Sequence, residues 1–126
     1  MQKLFDKLII STQEFYHLVN ISDILYCCSN NSYTTFYVKD VGEVTVSVSI
    51  KKVEEKLKDY HFIRPHQSYL VNADYIQTIT RKREIKIHIC GDITIPVSKR
   101  MKKCYLRNLE SMYHFQIPQY RIQMPL

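Results

Sequence analysis

Four hydrogen-bonding side chains lie close together in a segment with recurring large apolar residues, 62–76: Arg64, His66, Gln67 and Ser68. A buried strand cannot hold so many polar groups without partners, because an unpaired polar group is strongly disfavoured away from water. At a loop tip, Gln67 could pair with adenine through two hydrogen bonds. His66 could equally be a structural histidine bonded to backbone. The segment is therefore the first candidate binding site.

A second candidate begins at Ser98, which we expect to cap an α-helix running to about residue 113. Lys99 and Arg100 then lie in its first turn. Cations at this positive helix end are disfavoured by about 0.3–1 kcal/mol each, and folding alone favours acidic residues there. A cap hydroxyl, free N–H groups and two cations suit a phosphate. The alternative is a slightly frustrated surface turn.

A third candidate is the polar loop at residues 29–33, which includes Asn31, Ser32 and Tyr33. Asn and Ser are common turn formers. The same side chains also bond base edges and phosphates. Both interpretations stay open at this point.

Composition narrows the functional classes. The 126 residues include 18 Lys and Arg against 12 Asp and Glu, a net charge of +6 that favours a polyanionic partner. With two glycines, the chain has no glycine-rich phosphate loop. His and Cys lack metal-ligand spacing, so we expect no metal, no cofactor and no enzyme activity. No apolar run is long enough to span a membrane and no signal peptide is evident, which predicts a cytoplasmic protein with reduced thiols.

Short alternating or β-branched segments dominate the chain and predict antiparallel strands. A first helix is expected after Ser49, with Ile50, Val53 and Leu57 on its apolar face. Its charges, including a Glu54–Lys58 pair, are interpreted as a solvated face. The expected fold class is mostly β, a β-rich α+β domain of small antiparallel sheets packed with one or two short helices.

The chain is expected to be one domain, residues 1–115, followed by a C-terminal extension at residues 116–126. In the final helix, Leu109 and Met112 belong to an apolar face. Met101, Cys104 and Tyr105 complete that face.

The residues of the first candidate site resemble the central motif of the LytTR family of bacterial DNA-binding domains. The matching positions are Phe62, Arg64, His66, Ser68, Tyr69, Val71, Asn72 and Ile76. A later family motif resembles residues 96–100, and the similarity covers roughly residues 7–113. Gln67 stands where a cation or Asn is more usual. Pro65 replaces a β-branched residue and removes an N–H.

The resemblance implies a compact set of small sheets whose loops enter successive major grooves of DNA. The base-reading residues would be Tyr33 or its neighbours, then Gln67, then Lys99 with Arg100. The residues expected to face DNA are Asn31, Ser32, Tyr33, Arg64, His66, Gln67, Ser68, Ser98, Lys99 and Arg100.

These observations favour a sequence-specific transcription regulator, of the kind found in two-component response regulators. We expect it to bind tandem repeats in double-stranded DNA as a homodimer, with no membrane partner. Most family members carry a receiver domain, which this chain lacks, so we expect a stand-alone regulator or an excised output domain. The alternative is a protein-interaction module that uses an exposed strand edge.

Overall fold

The computed structural model describes residues 6–101 and 105–113, with the backbone alone at residues 105 and 106. These residues form strands β1 (Lys7–Ser11), β2 (Tyr16–Asn20), β3 (Ile24–Asn30), β4 (Tyr33–Val38), β5 (Gly42–Val46), β6 (Phe62–His66), β7 (Tyr69–Asn72), β8 (Ile76–Thr80), β9 (Lys86–Ile89) and β10 (Ile93–Pro96). The α-helices are α1 (Ile50–Lys56) and α2 (Tyr105–Met112), and short 3-10 turns cover Ile21–Asp23, Ala73–Tyr75 and Lys99–Met101.

The strands form three antiparallel sheets, as the sequence predicts. β1 and β2 make a two-stranded hairpin, and a five-stranded sheet has the order β5-β4-β3-β7-β6. The third sheet has the order β10-β9-β8, which places Pro96 on an edge strand where its missing N–H costs no ladder bond. The expected mostly β class with two helices is confirmed.

Apolar side chains pack on both faces of the five-stranded sheet. On one face, α1 and the β1–β2 hairpin enclose a first core that includes Phe36, Leu57 and Leu70. On the other face, a second core joins the five-stranded sheet to the three-stranded sheet. Its fully enclosed members are Ile63, Val71, Ile87, Ile89 and Ile95. Leu109 and Met112 of α2 pack against this second core, as expected for the apolar face of the last helix.

Helix α1 begins as predicted, because the Ser49 hydroxyl accepts the backbone N–H of Lys52 at 3.3 Å. The predicted last helix is wrong at its start. Residues Lys99–Met101 form a 3-10 turn, in which the Met101 N–H donates to the Ser98 carbonyl at 3.0 Å, and the described part of α2 is Tyr105–Met112. Cys104, the side chain of Tyr105 and the predicted extension at residues 116–126 lie outside the described part of the chain.

The polar loop predicted at residues 29–32 is shorter than expected. Ser29 and Asn30 continue β3, and the turn consists of Asn31 and Ser32 alone. Asn31 has φ +58°, a left-handed conformation that Asn tolerates better than most residues. The shorter turn projects Asn31 and Ser32 from the end of a paired hairpin.

Asn72 holds the junction between the two larger sheets. It is 3% exposed; its side-chain amide donates to the Ile24 carbonyl at 2.9 Å and accepts the Asp74 N–H at 3.1 Å. Asn72 thus caps the Ala73–Tyr75 turn and also satisfies a buried carbonyl of β3.

We predict that Asn72→Ala lowers the free energy of unfolding by about 1–3 kcal/mol, because the Ile24 carbonyl loses its side-chain donor in a buried site. Urea unfolding followed by circular dichroism measures the change. Gln77→Ala, on an exposed position of β8, is the control and should stay within about 0.5 kcal/mol of the parent. Equal effects of the two substitutions would contradict this role for Asn72.

Candidate nucleic-acid interface

The turn between β6 and β7 consists of Gln67 and Ser68, with His66 and Tyr69 paired across its base. Gln67 is exposed at the tip. Its side chain is free to contact a ligand, since no hydrogen bond or ion pair holds it within the described residues. The condition stated for base pairing by Gln67, a position at a loop tip, is therefore met.

Arg64 connects this turn to helix α1 through hydrogen bonds. Its guanidinium donates to the His66 carbonyl at 3.2 Å, to the Gln67 carbonyl at 2.6 Å and to the Glu54 carboxylate at 2.6 Å. Three directed bonds from one planar group leave the turn little freedom. The interpretation of Glu54 as part of a solvated face is wrong, because its partner is Arg64 from a distant strand rather than Lys58.

The His66 side chain stabilises the same turn by a hydrogen bond to its backbone. Its Nδ1 accepts the Ser68 N–H at 3.0 Å, and its ring lies edge-on to Tyr69 with centroids 5.6 Å apart. The structural interpretation of His66 is thus the better supported one. Arg64 and His66 are two residues apart, a spacing that puts both side chains on one face of a regular strand. In the structure Arg64 reaches α1, beside the first core, whereas His66 contacts Tyr69, which packs against the second.

Pro65 explains this change of face. The register of β6 against β7 is irregular between Ile63 and His66, and Pro65 is the residue that cannot donate a ladder bond there. Its carbonyl accepts the Ser98 N–H at 2.9 Å. The reshaped strand edge expected from Pro65 is therefore present, and it connects β6 to the segment that follows β10.

Lys99 and Arg100 follow that bond directly and are exposed. Neither has an acidic partner within 4 Å among the described residues. The sequence predicted both residues in the first turn of an α-helix, whereas the structure places them in a 3-10 turn. Two unpaired cations at the surface remain.

Two backbone hydrogen bonds bring the three predicted segments to one end of the molecule. The Ser29 N–H donates to the Ser68 carbonyl at 2.8 Å, which places the Asn31–Ser32 turn beside the Gln67–Ser68 turn. The Ser98 N–H to Pro65 carbonyl bond places Lys99 and Arg100 on the other side. We call these three segments, Asn31–Ser32, Gln67–Ser68 and Lys99–Arg100, the turn row.

Tyr33 stands beside the turn row and is 51% exposed. It borders a shallow depression of about 400 Å³ that Thr12, Gln13 and Ser47 also line. Thr12 and Gln13 were not among the residues predicted for the site. Their proximity to Tyr33 comes from the packing of the β1–β2 hairpin, for which the local sequence carries no signal.

A cluster of tyrosines lies behind the turn row on the five-stranded sheet. The rings of Tyr26 and Tyr37 are stacked with centroids 4.3 Å apart, and Tyr69 lies 6.4 Å from Tyr26. Partial burial, followed by the neighbouring Tyr37, raises the pKa of Tyr26 to about 12. Cys27 is a buried core residue, and this burial raises the pKa of its thiol.

Comparisons with known proteins show the family of this chain. The family model for the LytTr DNA-binding domain matches residues 14–110. The chain belongs to the LytTr DNA-binding domain family. This is a family of DNA-binding domains and not a family of enzymes. Among the described residues, no three His, Cys, Asp or Glu side chains lie close enough together to hold a metal ion, and no helix is long and apolar enough to cross a membrane.

Two relatives named sensory transduction protein LytT match most of the chain. The Bacillus subtilis protein is 36% identical over 110 residues, covering 86% of this chain and 44% of the relative. The Oceanobacillus iheyensis protein is 28% identical over 113 residues, covering 86% and 46%. The chain thus spans less than half the length of these relatives. A solved LytTr DNA-binding domain from Bacillus cereus superposes with a TM-score of 0.65 at 22% identity, covering 86% of this chain and 97% of that one, which shows the shared fold.

We predict that Arg64→Lys loosens the Gln67–Ser68 turn, because a lysine cannot reproduce three directed bonds from one planar group. The free energy of unfolding should fall by about 1–2 kcal/mol, and the Ser68 amide should exchange with solvent faster. Amide exchange followed by NMR measures this. Arg81→Lys is the matched control, since Arg81 has no partner among the described residues. Unchanged Ser68 exchange in Arg64→Lys would contradict the anchoring role.

Proposed function

We propose that this domain binds duplex DNA sequence-specifically and regulates transcription through the turn row. The observation that carries the proposal is the convergence of three exposed polar or basic segments at one end, through the Ser29–Ser68 and Ser98–Pro65 backbone bonds. The net charge of +6 supports a polyanionic partner, and family membership supports DNA as that partner.

The exposed side chains suit different parts of the duplex. Gln67 has the amide geometry to bond adenine at two positions, and Arg100 or Lys99 suits guanine. Asn31 is a further candidate for adenine. Tyr33 and the hydroxyls of Ser32, Ser68 and Ser98 suit phosphate oxygens.

Arg64 and His66 act in a different way under this proposal. Both were expected to face DNA, yet their hydrogen bonds hold the backbone of the Gln67–Ser68 turn. We assign them a positioning role, so that Gln67 meets a base edge without a large loss of loop entropy on binding.

The proposal includes two copies of the domain on tandem repeats. Neighbouring strands lie about 4.8 Å apart, so the row spans on the order of 15 Å from the β3–β4 turn to Ser98. Its outer members can reach from one major groove towards the next across the minor groove, which is about 6 Å wide. A row of this size meets few base pairs, and useful specificity then needs a homodimer on DNA. A receiver domain in the cytoplasmic whole protein is part of the same proposal, given the length of the LytT relatives.

The alternative, a protein-interaction module that uses a strand edge, remains a prediction. β5 forms one edge of the five-stranded sheet. Beside it, the outer face of the β1–β2 hairpin exposes 64% of Ile9 and 61% of Leu18, a favourable surface for an apolar contact. Binding by this face would survive at high salt, whereas binding to phosphates would not.

Selection from a randomised duplex pool at near-physiological salt tests the main proposal. We expect enrichment of a paired motif whose halves are about 10 base pairs apart, one helical turn. Gln67→Ala and Lys99→Ala should each weaken binding to the enriched duplex by about 1–3 kcal/mol and relax the preference at one base position. Fluorescence anisotropy measures the affinities.

Lys39→Ala is the matched control for Lys99→Ala, because Lys39 follows the far end of β4 from Tyr33. It should leave base preference unchanged. If no sequence is enriched, or if Lys39→Ala and Lys99→Ala behave alike, specific DNA reading through the turn row is wrong.

A further inference from the structure

The turn between β8 and β9 carries three consecutive exposed cations, Arg81, Lys82 and Arg83. None has an acidic partner within 4 Å among the described residues, since the neighbouring Glu84 contacts Lys86 at 3.7 Å instead. Arg83 also has φ +58°, a conformation that is uncommon for arginine. Three like charges in one turn, one of them on a disfavoured backbone, do not serve folding.

Two further contacts place this turn at the same end as the turn row. Cross-strand register puts Thr80, Lys86 and Pro96 side by side, so the β8–β9 turn lies next to the segment that follows β10. The Val97 N–H donates to the Ile85 carbonyl at 3.1 Å. The next residue, Ser98, donates to the Pro65 carbonyl at 2.9 Å.

The dimensions of DNA indicate what this turn would meet. Adding it lengthens the row to about 20 Å at about 4.8 Å per neighbouring strand, which exceeds the major-groove width of about 12 Å. Some of the row must therefore face the sugar-phosphate ridges. Arg and Lys side chains bond phosphate oxygens as well as guanine edges. The β8–β9 turn lies at the outer end of the row, so we assign its cations to the phosphates of a ridge.

We infer that Arg81, Lys82 and Arg83 form a fourth DNA contact, made to the phosphate backbone beyond the segment that contains Lys99 and Arg100. This inference rests on the proposed DNA binding and adds a contact that strengthens affinity without reading sequence. The contact also gives a reason for three unpaired cations in one turn, where they repel one another.

The test compares two double variants that each remove two positive charges. Arg81→Gln/Lys82→Gln alters the β8–β9 turn and leaves Arg83 on its left-handed backbone. Lys7→Gln/Lys39→Gln is the control, because both lysines are exposed at the end of the domain opposite the turn row. Lys7 follows Asp6, whose carbonyl accepts the Ile21 N–H, and the Lys39 N–H donates to the Asp23 carbonyl. Thermal unfolding should show that both variants keep the parent stability.

The probe is a fluorescein-labelled duplex that the parent protein enriches from the randomised pool, or the pool itself if nothing is enriched. Affinity is measured by anisotropy from about 50 to 200 mM salt. The turn variant should bind at least about tenfold more weakly at low salt, with the slope of log affinity against log salt reduced by about 2. Lys82→Gln alone should reduce the slope by about 1. Base preference should be unchanged, because phosphate contacts carry no direct sequence information.

Different failures are distinguishable. If the turn variant and the control have equal affinity and slope while the parent binds DNA, the fourth contact is wrong and the proposed function stands. A change of base preference in the turn variant would overturn the assignment to phosphate. If the parent shows no salt-sensitive duplex binding, the proposed function fails and the fourth contact fails with it.

Discussion

The backbone hydrogen bond from Ser98 to the Pro65 carbonyl is the contact on which the rest of the interface depends. It crosses from the three-stranded sheet to the edge of the five-stranded sheet, and it sets Lys99 and Arg100 beside the Gln67 turn. The second core keeps that bond in place, because Ile63, two residues before Pro65, packs with Ile87 and Ile95 from the other sheet. Because the bond uses main-chain atoms, it tolerates change in the exposed side chains around it.

A division of roles follows from which polar groups are already paired. Arg64 and His66 direct their hydrogen bonds into the protein and hold the backbone of the Gln67–Ser68 turn. Gln67 and Lys99 have no such partners among the described residues and are available to a ligand. A site built this way is preorganised, so that less ordering entropy is lost when the partner binds.

Much of the fold follows from local sequence, and the exceptions share one cause. Alternation, turn residues and the Ser49 cap predicted the strands and α1. Ser98 also has the type of a helix cap, but the residues after it form a 3-10 turn, and the Val97 and Ser98 N–H groups bond carbonyls of distant segments. Glu54 likewise looked solvated because its partner Arg64 is ten residues away on another element. Local patterns do not contain these long-range contacts.

The candidate site was likewise predictable only in part. The motif spacing identified the segments that converge. Which residues hold the backbone and which are exposed depends on the hydrogen bonds of Arg64 and His66, and local sequence does not contain these bonds.

The most direct test of the whole account is amide chemical-shift mapping by NMR, with the enriched duplex added to the protein. The account predicts that the largest shifts lie in the turn row, at residues 31–33, 67–68 and 99–100. Largest shifts on the outer face of the β1–β2 hairpin, around Ile9 and Leu18, would contradict it.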